Sequence, residues 1–203
     1  MPSADPTIVR PTDVERWLTE LGVSARARSD REGVTSWDLR LDGRRRFDLP
    51  ITLILDPDLA LICWVHYAPP IGDAFRTSYR RLLRWNDEFP FAKFSLAEDE
   101  RPILASELPI RTLDREELGL ALARSLAISD RLLEESAAWI WIGGRIPDLG
   151  DRRSSGAHLI DRYAVRMGEL LEPIDAAEPG VPDPEIIVDG EPEPAVQPEP
   201  ARR

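Results

Sequence analysis

The sequence predicts an α+β fold: an antiparallel sheet of about five to six strands packed with three helices, then a C-terminal helix and a disordered tail. Three observations lead there. Apolar residues recur at helical spacing in well-signalled segments. Between these lie alternating or short continuous apolar runs joined by turn residues. From Pro173 onward the composition changes abruptly.

The first helix is announced by Thr12 and Glu15 at the capping-box spacing, after Pro11. Val14, Trp17, Leu18 and Leu21 then form one stripe, and Gly22 ends it where a left-handed residue is wanted. Val23 to Arg28 alternates as a strand. Asp30–Gly33 reads as a turn, and Trp37, Leu39 and Leu41 mark a half-buried strand. Gly43–Arg46 makes a basic turn. Ile51–Leu55 and Leu59–His66 are apolar on both faces and flank Asp56–Pro57–Asp58, so they form a central hairpin or sit at a subunit interface.

Pro69–Pro70 breaks the chain before a second helix from about Asp73. Phe75, Tyr79, Leu82, Leu83 and Asn86 define its inward arc, with Arg76, Arg80, Arg81 and Arg84 beside and opposite. Four arginines could suit phosphate, but a solvated, salt-bridged face is the ordinary meaning of such a run. A second hairpin follows, Lys93–Leu96 and Ile103–Ile110 around the acidic turn Glu98–Asp99–Glu100. The third helix is capped by Asp114 with Glu117 three residues on and runs to at least Glu135. Trp139–Ile142 extends it or forms a short strand. Arg152–Gly156 reads as a polar linker before an amphipathic helix at 158–171. The expected organisation is a flexible N-terminus at 1–10, a domain at 11–150, a linker and helix at 151–172, and a tail at 173–203. That tail holds eight prolines and eight acids in 31 residues, too little apolar surface to order a chain.

The net charge of −11 disfavours nucleic acid and anionic membrane as partners. No apolar stretch approaches the ~20 residues needed to cross a bilayer. Residues 1–10 lack an apolar leader core, so a cytoplasmic location is expected. The single cysteine, Cys63, lies in an apolar run and reads as a buried thiol.

Catalysis needs reactive groups that converge. The two histidines, His66 and His158, lie far apart in sequence. Cys63 and His66 differ by an odd number along one strand and so face opposite sides. Metal-ligand spacings, nucleophile elbows and phosphate-cradling loops are missing. Acid pairs such as Asp56/Asp58, Asp99/Glu100 and Glu116/Glu117 sit at turns or a helix start, where carboxylates serve structure. Trp17, Trp37, Trp64 and Trp85 fall at periodic positions and read as core. The chain is therefore expected to be no enzyme and to use no cofactor or metal.

The runs Leu82–Leu83–Arg84–Trp85–Asn86, Phe89–Pro90–Phe91–Ala92–Lys93–Phe94–Ser95–Leu96, Leu104–Pro109 and Leu113–Asp114–Arg115–Glu116–Glu117–Leu118 carry a family likeness. With the element order, they resemble the YbjN-domain branch of the type III secretion chaperone-like superfamily over about residues 11–135. The likeness implies a convex or flat sheet against helices, often dimeric. It also implies a binding role, as chaperones of secreted effectors or as sensory-transduction regulators. The Trp/Ile cluster, the last helix and the acidic tail depart from the minimal pattern.

The expected function is capture of a partner protein or peptide, or of a second copy of the chain, by strand addition or groove packing. The surface expected to do so comprises Leu53, Leu55, Leu61, Trp64, Arg76, Arg80, Arg84, Trp139 and Trp141. The alternatives are a regulator acting through its acidic tail on the arginine-bearing helix, and an enzyme with no recognisable motif.

Overall fold

The computed structural model describes residues 9–70, 76–141, 144–148 and 150–168. The expected tail from Pro173 and the residues before Val9 lie outside them, as do Phe75 and Ile142.

Six strands form one sheet, all pairs antiparallel, in the order β1-β2-β3-β4-β6-β5. They are β1 (Ala25–Arg31), β2 (Val34–Leu41), β3 (Leu49–Asp56), β4 (Ala60–His66), β5 (Lys93–Leu96) and β6 (Pro102–Pro109). The helices are α1 (Pro11–Glu20), α2 (Arg76–Glu88), α3 (Arg115–Arg131), α4 (Leu133–Ile140) and α5 (Ala157–Tyr163). A 3₁₀ turn at Ala164–Met167 extends the last of these. Trp139 and Ile140 are thus helical, and Trp141 is the extended residue that ends α4.

Strands β3 and β4 are central, as their apolar runs require, but their two faces differ. Leu49, Ile51, Leu53 and Leu55 are sealed, while Pro50, Thr52, Ile54 and Asp56 alternate with them at half-burial. The sealed side packs on α3, whose Ser125 Oγ lies 3.9 Å from Cys63 Sγ. Of the 17 residues of α3, 12 are buried, so it is a core helix rather than an amphipathic one. Its Ser125 and Ser129 hydroxyls donate to the carbonyls of Ala121 and Ser125 (2.9 and 2.7 Å), which lets polar side chains sit in that core.

Some local signals act differently from their sequence reading. Helix α1 is capped two residues earlier than Thr12: the N–H of Arg10 donates to Asp13 (3.0 Å) and Pro11 takes the first helical position. Glu15 instead accepts from Trp37 Nε1 (3.2 Å) and Arg28 Nη1 (2.6 Å), tying the helix to the sheet. Gly22 does close the helix, at φ 71°, with Val23 N–H returning to the Leu18 carbonyl (2.9 Å). Leu83 points to solvent, while Leu82 and Trp85 make the inward side of α2.

The basic turn after β2 is organised by one buried carboxylate. Asp130 of α3 accepts the backbone N–H groups of Arg44, Arg45 and Arg46 (2.6, 2.9 and 2.7 Å). The Arg46 guanidinium is itself buried, lies 4.2 Å over the Tyr67 ring and donates to the Tyr67 carbonyl. Next to it, Asp42 binds the stretch expected to be a linker. Its N–H donates to Ser155 Oγ (3.0 Å), its carbonyl accepts from Ser154 Oγ (3.0 Å) and Gly156 N–H (3.1 Å), and its carboxylate meets Arg152 (3.3 Å). Gly156 is needed here because a β-carbon would fall 2.5 Å from the Asp42 carbonyl and 2.6 Å from Leu126 Cδ1. The clasp sets α5 against α3, where Leu159, Ile160, Tyr163 and Met167 join the same hydrophobic core.

Two stability predictions follow from these contacts. Gly156→Ala should cost about 1–3 kcal/mol through overpacking. Asp130→Ala, which strands three backbone donors beside a buried guanidinium, should cost about 3 kcal/mol or more. Urea unfolding of each variant measures this, and a loss under about 0.5 kcal/mol, the scale of a neutral surface change, would contradict it.

Candidate functional site

The described helices lie on the side of the sheet that carries Trp37, Leu53, Cys63 and Leu104, with α4 and α5 packed on α3. Among the described residues no element covers the opposite, outer face. Strand alternation decides what stands there. Register places Ser36, Ile54, Ile62 and Glu107 in one row across β2, β3, β4 and β6. Asp38, Thr52, Trp64, Ala105 and Lys93 make the next row, and His66, Ile103 and Ser95 a third. The middle of the face is therefore apolar: Ile54, Ile62, Trp64 and Ala105 are half-buried and Ile103 is buried. Charge lies around it, with Asp38, Lys93 and Glu107 exposed.

One polar chain crosses this centre. Thr52 Oγ1 donates to Asp38 Oδ1 (2.9 Å) and meets His66 Nε2 at 3.1 Å. The rings of Trp64 and His66 stack at 6.2 Å between centroids, 22° from parallel. Burial holds the His66 imidazolium pKa below its usual value; Arg101 acts the same way, against Asp38 and Asp99. The other nitrogens of the two rings, Trp64 Nε1 and His66 Nδ1, have neither solvent contact nor a hydrogen-bond partner.

The inner face encloses its thiol. Cys63 is fully enclosed and its thiol pKa is pushed up to about 12 by burial. The acid pairs are engaged locally: Asp56 accepts the N–H of Asp58 (3.0 Å), and Asp99 holds Arg101. Glu116 and Glu117 hold Arg162 (2.8 Å) and Arg166 (2.7 Å) of the C-terminal helical segment. Among the described residues no group of three or more His, Cys, Asp or Glu could hold a metal ion.

The nine surface residues expected from sequence do not form one surface. Leu53, Leu55 and Leu61 are corrected to core: each is at most 1% exposed against the helices, because the hairpin's two apolar faces are not equivalent. Trp64, read both as a core position and as part of that surface, stands half-buried on the outer face. Trp139 packs on Trp85 (5.2 Å between centroids) and is half-buried, like Trp141. Arg80 and Arg84 are exposed on α2. Arg76 opens that helix, and its side chain lies outside the described residues. What the sequence reading missed is the outer-face company of Trp64, namely Ile62, His66, Thr52 and Ile54. Period two along β4 already placed Ile62, Trp64 and His66 on one side.

A family model, YbjN, described as "Putative bacterial sensory transduction regulator", matches residues 10–137. No curated protein matches the chain. The matched span runs from the start of α1 into α4, whereas the hydrophobic core continues to Met167.

Two measurements test the chemistry of these faces. Cys63 should resist thiol reagents in the native state and react at the global unfolding rate; rapid native labelling would contradict its enclosure. His66 binds its proton less readily folded than unfolded, where its value is near 6.5. Its contribution to stability is thus present above that pH and is lost as pH falls through the lower folded value. His66→Phe should flatten the urea midpoint over that window relative to the parent; a parallel profile would refute the assignment.

Proposed function

The chain belongs to the YbjN family, and we propose that it is a non-catalytic regulatory module that works by holding another polypeptide on the outer face of its sheet. One observation carries this: the apolar strip Ile54, Ile62, Trp64 and Ala105 lies on the face that no described helix covers, ringed by charge. An apolar centre with a polar rim is the usual composition of a protein-binding surface. The half-exposed tryptophan supplies the kind of anchor that dominates such interfaces.

The other features of the chain support the same reading. The described helices bury the inner side chains of β2, β3 and β4, such as Trp37, Leu53 and Cys63, so the strip is not left over from an unfinished core. The ionisable groups serve turns, caps and ion pairs, which favours binding over chemistry. A net charge of −11 favours polypeptide over nucleic acid or anionic lipid. No helix among the described residues is long and apolar enough to cross a membrane. The family description, a sensory transduction regulator, agrees with a role exerted through partners.

The test is affinity retention by the full chain from its source cells. Ile62→Asp places a charge in the strip on a side chain that is not part of the sealed core. Leu83→Asp, at a position 67% exposed on α2, is the control. Ile62→Asp should weaken retention of the principal partner about thirtyfold, a hot-spot-sized loss, with unchanged circular dichroism. Leu83→Asp should retain it. Equal retention by both variants would remove the outer face from the function.

A further inference from the structure

Strand β1 ends the sheet, and among the described residues no strand pairs with its free side. All seven of its residues are exposed. Backbone N–H and C=O groups at alternate positions of such a strand point away from β2, toward any chain laid alongside.

What stands beside that edge sets what can lie there. A groove of about 580 Å³ runs between α1 and β1, with Gly22, Ala25 and Ala27 in its lining. These residues are small, so an added strand has room for the side chains that turn toward the helices. The apolar wall of the groove, Leu18, Val23 and Trp37, is at most 4% exposed. The groove therefore gives space and little apolar area. Recognition at this edge falls to the backbone and to charge.

The charge is arginine. Glu15 and Asp30 hold Arg28 (2.6 and 3.1 Å), and Asp30 also accepts from Thr35 Oγ1 (2.7 Å). That leaves Arg26 and Arg31, near the two ends of the strand. Arg26 stands at the irregularity between Ala25 and Ala27, and its charge also acts on Asp48. Arg31 pairs in the ladder with Val34. The strand rise puts the two roughly 16 Å apart along the edge.

We propose that β1 accepts an extended segment of a partner polypeptide as a further strand, one with uncharged β-forming residues between two carboxylates that meet Arg26 and Arg31. Backbone bonds to the edge give affinity, and the end charges give the choice. Cationic residues in the same places are repelled. A second copy of β1 brings its own arginines to the contact. The net charge of −11 opposes an acidic segment at long range, but salt screens that repulsion beyond ~10 Å at physiological strength. Pairs in contact are screened less. This edge is separate from the outer face, and the proposal does not rest on the reading of that face.

The probe is the end-capped peptide Asp-Thr-Val-Thr-Val-Asp, and its counterpart is Lys-Thr-Val-Thr-Val-Lys. Each is titrated into the full chain at physiological salt while the backbone amide resonances are followed by NMR. The acidic peptide should shift the amides of β1 and bind about tenfold tighter than the basic one, the size of two exposed ion pairs. In the double variant Arg26→Gln, Arg31→Gln, changed only at exposed positions, that preference should fall to about twofold or less. Strand pairing uses alternate residues, so two copies of the acidic peptide, N-methylated at odd or at even positions, should differ: one keeps its binding and the other loses it. Absent β1 shifts, equal binding of the acidic and basic peptides, or equal behaviour of the methylated copies would each overturn the proposal. So would β1 shifts that follow protein concentration instead of peptide, which assign the edge to a second copy of the chain.

Discussion

Helix α3 is buried on nearly every side, and the rest of the fold is arranged to allow it. A helix without a solvent face needs neighbours all round its circumference. The sheet supplies one side, through Cys63 and its row. Helices α1 and α5 supply others. Close approach is built into the sequence: Gly119 leaves the space that the Tyr163 hydroxyl occupies, and a β-carbon there would collide with it. Small residues such as Ala121, Ala123 and Ala127 let the layers meet, while Leu118, Leu122 and Leu126 fill the volume between them.

A buried helix must also satisfy its polar groups, and here the solution fixes the topology. Asp130, near the end of α3, takes three backbone N–H groups from the turn that leads from β2 to β3. A carboxylate so placed costs desolvation, which raises its pKa, and the three donors offset that cost. The turn held in this way presents Arg44 to Asp161 and Arg45 to Glu134. Asp42 just before it binds Ser154, Ser155 and Gly156. One turn therefore joins the sheet, α3, α4 and α5. The C-terminal helix is for this reason part of the core, although the family match stops before it.

The element order, the hairpins, the Asp114 cap and the Gly22 stop were legible because each depends on residues close in sequence. What stayed illegible depends on long-range partners. Arg152–Gly156 reads as a linker because serine, glycine and arginine are loop residues; only Asp42, 110 or more residues earlier, makes it a clasp. Leu53 and Leu61 read as surface candidates because apolar runs do not reveal which of two faces a helical layer will choose. Once that layer lies on the Cys63 side, alternation sends Ile62, Trp64 and His66 to the other. The candidate site was thus half present in the sequence, as a period-two pattern awaiting the sign of its burial.

That sign also bears on how the domain meets other chains. An open sheet can associate by its edges or by its face. One edge is closed: Asn86 of α2 donates to the Phe94 carbonyl (3.1 Å) and accepts the Phe94 N–H (2.6 Å), occupying the outer side of β5. The other edge, β1, is exposed along its whole length and carries Arg26, Arg28 and Arg31, the charged decoration that discourages pairing between like edges. With Phe94 at one edge paired to α2 and the other edge guarded by charge, the outer face is where the middle of the sheet leaves apolar side chains, Ile54, Ile62, Trp64 and Ala105, half-buried.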